Sequence, residues 1–354
     1  MHIILMVTYL MVSLLIYSLP KRKRQKKLSI WGGLVLFTYG SLRSTFNGTD
    51  VIGYANSYLL LPYMSFKEIY NSITTVSRDP FFYSFLKVLS YINKNPQFML
   101  MIISAIVAIS ISVFIYKNSV NPILSFVMFI GLRYYSFTLS GLRQAIAWSI
   151  VMVSYEFLSR KKIKHFVLIV CFASLFHRSA LLFLLSYPLS MIRKIDKMTF
   201  MVIFLLLFNF TTSDVIVKLI VKIPFLQQYE SYIFNGETTN SGSTILFIYF
   251  CIVALSFIAK KKIIKKNEDM YLIYNSSLVG VAITSLAFNY ANIFRIGYYF
   301  ILPIILLLPY TIKSLKVDKR TKNLINVLVV TMLAVQFILI GPGAGMDNYI
   351  FFWQ

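Results

Sequence analysis

One histidine, two aspartates and a set of arginines are the residues of this chain best suited to chemistry. His177 lies deep in an apolar stretch, 166–190, with Arg178 and Ser179 directly after it. Imidazole titrates near neutrality, so proton transfer is the natural use of such a residue, and a structural hydrogen bond is the plain alternative. Asp50 closes the segment Arg43-Ser-Thr-Phe-Asn-Gly-Thr-Asp50, with Tyr54 soon after. Its Asn-Gly pair marks a turn that could bring Arg43 and Asp50 together, either as an ion pair or as an anion or sugar site in which Asp50 accepts a hydroxyl hydrogen bond or a proton. Arg78-Asp79-Pro80 precedes Phe81-Phe82-Tyr83. Asp before Pro is an ordinary helix start, and the aromatic residues behind it could pack on the protein or stack on sugar rings. Arg143 and Gln144 sit in the first turn of the long apolar run after Ser140-Gly141, where exposed N–H groups and a guanidinium would make an anion-binding end. Arg133, which ends the preceding run, could instead snorkel to headgroups. Arg295 closes a polar break that begins at Asn289.

Guanidinium groups at or inside a bilayer are costly unless they pair or bind anions. Diphosphate recognition accounts for several of them at once. Arginines would hold the phosphates by charge-assisted bidentate bonds, aromatic rings would cover sugars, and an apolar groove would take a lipid tail. A lone histidine without a carboxylate cluster does not make a zinc site, so no metal and no cofactor are expected.

The elements that must position these residues follow from composition. The 354 residues are 58% hydrophobic and only 13% charged, where a soluble domain has about a quarter charged. Apolar stretches recur from end to end, continuous rather than alternating, which selects an all-α, polytopic helical membrane protein over a β-barrel. Spans are expected near 2–19, 28–42, 98–116, 121–139, 141–159, 198–212, 243–260, 270–288, 293–312 and 322–340. A hairpin of two short legs over 166–190, with His177 near its tip, brings the total to about 12 apolar segments, including short broken helices. Residues 1–354 read as a single transmembrane domain, with 43–97 as an outer loop carrying an interfacial helix and 213–242 as a second outer loop. The N-terminal apolar run reads as a first span rather than a cleaved signal. Cys171 and Cys251 both fall in apolar runs and form no disulfide framework.

A net charge of +23 would point to nucleic acid in a soluble protein. Here most of the Lys and Arg residues fall in short clusters between apolar runs, at 21–27, 117, 160–164, 193–197, 260–266 and 313–322. That is the positive-inside pattern, met by anionic headgroups, and no nucleic acid is expected. With these clusters in the cytoplasm, Arg43, Arg78, Arg133, Arg143, Arg178 and Arg295 gather at the opposite face or inside the bundle.

The chain resembles the EpsG family of bacterial exopolysaccharide and capsule proteins, related in role to the Wzy O-antigen polymerases. The resemblance is carried by Arg43 with Gly48-Thr49-Asp50 and Tyr54, and by Asp79-Pro80-Phe81, where the family commonly has Glu-Pro-aromatic. It continues through Gly141-Leu142-Arg143-Gln144-Ala145, Ser174 to Ala180 around Phe176-His177-Arg178-Ser179, and the late Arg295. It implies a lipid-dependent glycosyltransferase-like fold and a polysaccharide polymerase of the bacterial inner membrane, multi-pass, with an outward-facing site. Its substrate would be an undecaprenyl-diphosphate-linked oligosaccharide, and no metal would be needed. Membrane lipids, and the chain-length regulator and flippase of the same pathway, would be further partners. In that reading His177 and Asp50 are the candidate catalytic groups. Tyr54, Arg43, Arg78, Asp79, Arg133, Arg143, Gln144, Arg178 and Arg295 would bind substrate. A lipid-linked oligosaccharide flippase or transporter, and another lipid-linked glycan transferase or ligase, remain alternatives. Cysteines placed in 160–164, 193–197 and 260–266 should resist an impermeant thiol reagent in intact cells, and cysteines in 43–97 should react. Labelling of 260–266 from outside overturns this orientation.

Overall fold

The computed structural model describes residues 2–18, 20–76, 79–222, 234, 241–266, 269–287 and 290–354. Among these the secondary structure is helical throughout, apart from one isolated antiparallel bridge between Arg43 and Phe351. The chain forms two compact units, one of residues 1–181 with 323–354 and one of residues 182–322.

The first unit is built on α1 (His2–Tyr17), α2 (Lys21–Ser41), α6 (Pro96–Asn118), α9 (Leu142–Ser159) and α10 (Ile163–Phe176), with α6 lying along both α2 and α9, and α9 along α10. Between α2 and α6 come three shorter helices, α3 (Val51–Leu60), α4 (Phe66–Val76) and α5 (Pro80–Ile92). Local sequence sets several starts. Pro80, Pro96 and Pro122 each occupy the first helical position, where the missing N–H is no loss. Asn95 and Asn121 cap the helices begun by the last two, accepting from Gln97 N at 2.9 Å and Leu124 N at 3.4 Å.

The 121–139 run breaks into α7 (Pro122–Gly131) and α8 (Tyr134–Ser140), bent by 55°. Arg133 takes the left-handed conformation at the break, φ 63°. Its guanidinium donates to Ile340 O at 2.5 Å, the last carbonyl of the helix that closes the chain, Lys319–Ile340, and to Gly341 O just beyond it at 2.9 Å. A cation there satisfies orphan carbonyls and complements the helix dipole.

The second unit contains α11 (Ser186–Met191), α12 (Ile195–Val221), α13 (Ser241–Lys266) and α14 (Met270–Leu286), followed by α15 (Phe294–Ile301) and α16 (Ile304–Ser314). The closing helix is α17. Helix α14 packs against α11, α12, α13, α15 and α16. A Cβ at Gly280 would meet Ile301 N at 2.5 Å, so only glycine lets α14 and α15 approach this closely.

The expectation of about 12 spans is corrected. Among the described residues three helices are long and apolar enough to cross a membrane, Pro96–Asn118, Thr244–Ile264 and Lys319–Ile340. The number rises to five if the bent pairs α7 with α8 and α15 with α16 each count as one span. The reason is physical. Several apolar runs form helices too short for a span, Ile4–Tyr17, Ile163–Phe176 and Met270–Leu286 at 17 residues or fewer, the second ending at the extended His177, while the 121–139 run is broken at the left-handed Arg133. The basic cluster 21–27 forms the first turns of α2, ahead of its apolar part. These long apolar helices are consistent with membrane localisation. The segment expected to leave the membrane at 213 continues as helix to Val221, because Val217 is buried beside Ile293 and Asp214 accepts a hydrogen bond from Tyr290 at 2.9 Å. Most of 223–240 lies outside the described residues.

Residues 341–354 fold back onto the loop after α2. Gly48 N donates to Gly345 O at 3.0 Å, Thr49 N to Ala344 O at 3.2 Å, Ser44 N to Ile350 O at 2.9 Å and Phe352 N to Leu42 O at 3.0 Å. Gly48 has φ 104°, so the expected Asn-Gly turn uses a backbone conformation natural only to glycine. Beneath the loop Arg43 is buried, donating to Gly40 O at 2.6 Å, Leu139 O at 2.9 Å and Ser104 Oγ at 3.3 Å. These partners belong to α2, α8 and α6, so the guanidinium ties three helices together and does not meet Asp50 in a hydrogen bond. Replacing Arg43 with Met strands these acceptors and should destabilise the protein by about 1–3 kcal/mol, read as a lowered melting point in detergent. Lost turnover at an unchanged melting point would assign Arg43 a ligand role instead.

Candidate active site

Asp79 occupies the N-cap position of α5, yet its side chain caps nothing. The carboxylate is almost fully buried and turned the other way. Oδ2 lies 3.1 Å from Arg143 Nη1 and 3.0 Å from His177 Nδ1, and Oδ1 accepts the backbone N–H of Arg178 at 3.4 Å. Three segments distant in sequence therefore meet on one carboxyl group.

Each segment is held there for a local reason. Arg143 is in the first turn of α9. His177 ends α10 with an extended backbone, φ −157° and ψ 114°, and a 3₁₀ helix, Arg178–Leu185, follows. The break expected at His177 is thus present, with a 3₁₀ stretch where a second α-helical leg was expected. Helix α5 is fixed on α10 by ring contacts. Phe81 meets Phe176 and Phe172 edge-on at 5.0 and 6.1 Å, and Phe85 meets Phe176 at 5.8 Å. These aromatic residues act at least in part as packing.

A carboxylate only accepts hydrogen bonds, so the contact with Asp79 assigns the proton of a neutral His177 to Nδ1 and leaves Nε2 with its lone pair. The imidazole is 26% exposed, which gives a reactant access to it. Arg143 also donates from Nε to the Tyr54 hydroxyl at 3.1 Å, and its Cζ lies 5.8 Å from the Tyr54 ring. Burial pushes the Tyr54 phenol up from its ordinary pKa, against the pull of the Arg143 charge, and the nearby Asp50 charge adds to the rise. Tyr54 therefore stays a neutral phenol at physiological pH.

Asp50 precedes α3 and takes its position from the loop: Thr49 Oγ1 and Ser140 Oγ are 2.8 Å apart, and Asp50 N donates to Ser140 Oγ at 3.4 Å. It therefore neighbours the Tyr54–Arg143 pair, while the carboxylate bonded to His177 is Asp79. Gln144 is buried beside Arg143 in sequence, and the Arg178 side chain is exposed. Arg133 is engaged with the end of α17 as described. Arg78 lies outside the described residues. Arg295 lies on α15 in the second unit, half-buried. Among the described residues no three His, Cys, Asp or Glu side chains come together as a metal ion would require.

The grouping of Tyr54, Asp79, Arg143 and His177 was not legible from spacing, because Asp-Pro at a helix start reads as a cap. Lys87 was also missed. It is buried in α5 and donates to Leu61 O at 2.8 Å and Met64 O at 2.5 Å, closing the turn between α3 and α4.

This is an all-α, membrane-type protein with a carboxylate–imidazole–guanidinium site at helix ends. A profile of the EpsG family matches residues 29–351, and the chain belongs to that family. Membership supports a general polysaccharide-polymerase-like role and a glycosyltransferase-like activity. No curated protein and no solved structure matches the chain.

Removing one partner of the Asp79–Arg143 pair leaves the other charge half-compensated in a mostly buried place. Asp79→Ala should cost about 3 kcal/mol. The double variant with Arg143→Ala should lose less than the sum of the singles, by on the order of 1–3 kcal/mol. Unfolding of the four purified proteins measures this, and strict additivity would show that the pair is not coupled.

Proposed function

We propose that this protein polymerises undecaprenyl-diphosphate-linked oligosaccharide repeat units at the outer leaflet of the bacterial inner membrane. The growing glycan is transferred from its lipid diphosphate to a hydroxyl of the incoming lipid-linked repeat. The observation that carries the reading is the Asp79–His177 pair beside Arg143, in a chain of the EpsG family.

In this reading Nε2 of His177 takes the proton of the acceptor hydroxyl as its oxygen attacks the donor anomeric carbon. The bond from that carbon to the diphosphate oxygen breaks, and undecaprenyl diphosphate departs as the anion. Asp79 holds the imidazole in the required tautomer and stabilises the imidazolium that forms, the part a buried aspartate plays in a catalytic triad. Asp79 is thus moved from substrate binding to positioning, and Asp50 remains the second candidate base. Positive charge for the leaving diphosphate comes from Arg143 and the exposed Arg178. Arginine suits this work because its planar fork grips two phosphate oxygens. Tyr54 sets the Arg143 fork, and the aromatic residues of 43–97 provide faces for sugar. The proton on His177 then passes to solvent.

The test is single-turnover chain extension with purified protein and a defined lipid-linked repeat, without nucleotide sugar. Wild type should give a ladder, and His177→Ala should slow extension by at least roughly 10²-fold with lipid-substrate binding kept. Asp79→Asn should also extend slowly, and Arg143→Lys should fold but lose most turnover. Normal extension by His177→Ala, with none by Asp50→Asn, transfers the base to Asp50. Translocation of the lipid-linked repeat without covalent growth excludes the polymerase reading.

A further inference from the structure

The second unit contains an apolar groove of about 240 Å³ between α12, α13 and α14, unused by the chemistry above. Val202, Leu206, Val253, Phe257 and Val281 line it, and the one hydroxyl on its wall, Thr199, is already hydrogen-bonded with Tyr274 at 3.1 Å. The groove thus offers a ligand no polar partner along its length. From Thr199 to Leu206 it follows α12 for about 10 Å.

One end is different. Phe257 belongs to the wall, and the ammonium of Lys260 sits over its ring, 3.3 Å from the centroid. Lys260 also pairs with Asp196 in the first turn of α12, so the basic end of α13 and the basic start of α12 are neighbours. Lys197 and Lys261 are exposed there, and Arg193 lies over Tyr271 at the start of α14 at 4.3 Å. Asp196 offsets part of this charge, and the balance stays positive. An apolar slot with cations at one end is complementary to an amphiphile with an anionic head and a hydrocarbon tail.

We propose that this groove binds an anionic glycerophospholipid of the bilayer, with one acyl chain along α12 and the phosphate among Lys197, Lys260 and Lys261. The groove is short for a polyprenyl chain, and its basic end belongs to the lysine-rich set expected on the cytoplasmic side. Both features favour a resident phospholipid over the lipid-linked substrate. The proposal is independent of the reaction assigned to His177.

The experiment uses delipidated full-length protein in neutral detergent, melted with added phosphatidylglycerol, phosphatidylcholine or undecaprenyl diphosphate. A ligand bound only by the folded state raises the melting point with its concentration. Phosphatidylglycerol should raise it and phosphatidylcholine should not. The double variant Lys197→Glu/Lys261→Glu should lose at least half of the rise, and the matched pair Lys161→Glu/Lys164→Glu should keep it. Ile203→Trp, which fills the groove, should lose it as well. If that variant folds poorly, the two charge-reversal pairs decide alone, because they change exposed residues. An equal rise with phosphatidylcholine, an undiminished rise in Lys197→Glu/Lys261→Glu, or a rise with undecaprenyl diphosphate alone overturns the proposal.

Discussion

A buried carboxylate can exist as an anion only where donors surround it, and Asp79 obtains its donors from two other segments of the chain. Arg143 comes from the start of α9, and His177 and the N–H of Arg178 from the break after α10. Burying an ion costs several kcal/mol, and breaking one of its partnerships leaves that cost uncompensated. The site is therefore a constraint on the fold as much as a product of it. Helix α5 must start where it does, α10 must stop at His177, and α9 must begin beside both.

The same logic explains two other arginines. Arg43 and Arg133 bond to carbonyls left over where helices end or bend, at Gly40 and Leu139 and at Ile340 and Gly341. Broken helices expose C=O groups that lipid cannot satisfy. A guanidinium, with five donors in a rigid fork, can satisfy several of them at once. Arg43 and Arg133 thus hold the breaks together, while Arg143 and Arg178 bring charge to the place where chemistry is proposed.

The breaks themselves are where the candidate site residues sit. His177 follows α10, Asp79 precedes α5, Asp50 precedes α3, and Arg143 is one residue inside α9. Residues at helix ends project from a fixed scaffold without belonging to the apolar face that packs it. The C-terminal segment adds rigidity, because its carbonyls at Ala344, Gly345 and Ile350 hold the loop that leads to Asp50.

Much of this was determined by sequence alone. Long apolar runs dictate helices, the prolines at 80, 96 and 122 dictate starts, Asn-Gly dictates the turn at 47–48, and a polar trio inside 166–190 dictates a break there. Arg143 and His177 were identifiable as candidates because a charge or an imidazole in apolar surroundings needs a reason. Tertiary structure alone decided which carboxylate His177 meets, since Asp50 and Asp79 both lay near plausible helix starts. It decided that Arg43 serves the fold, and that several apolar runs stop short of a full span. The physical reason is that propensity and capping act over a few residues, whereas pairing a buried charge depends on donors brought from segments about 60 to 100 residues away in the chain. Those donors are chosen by the packing of α5, α9 and α10.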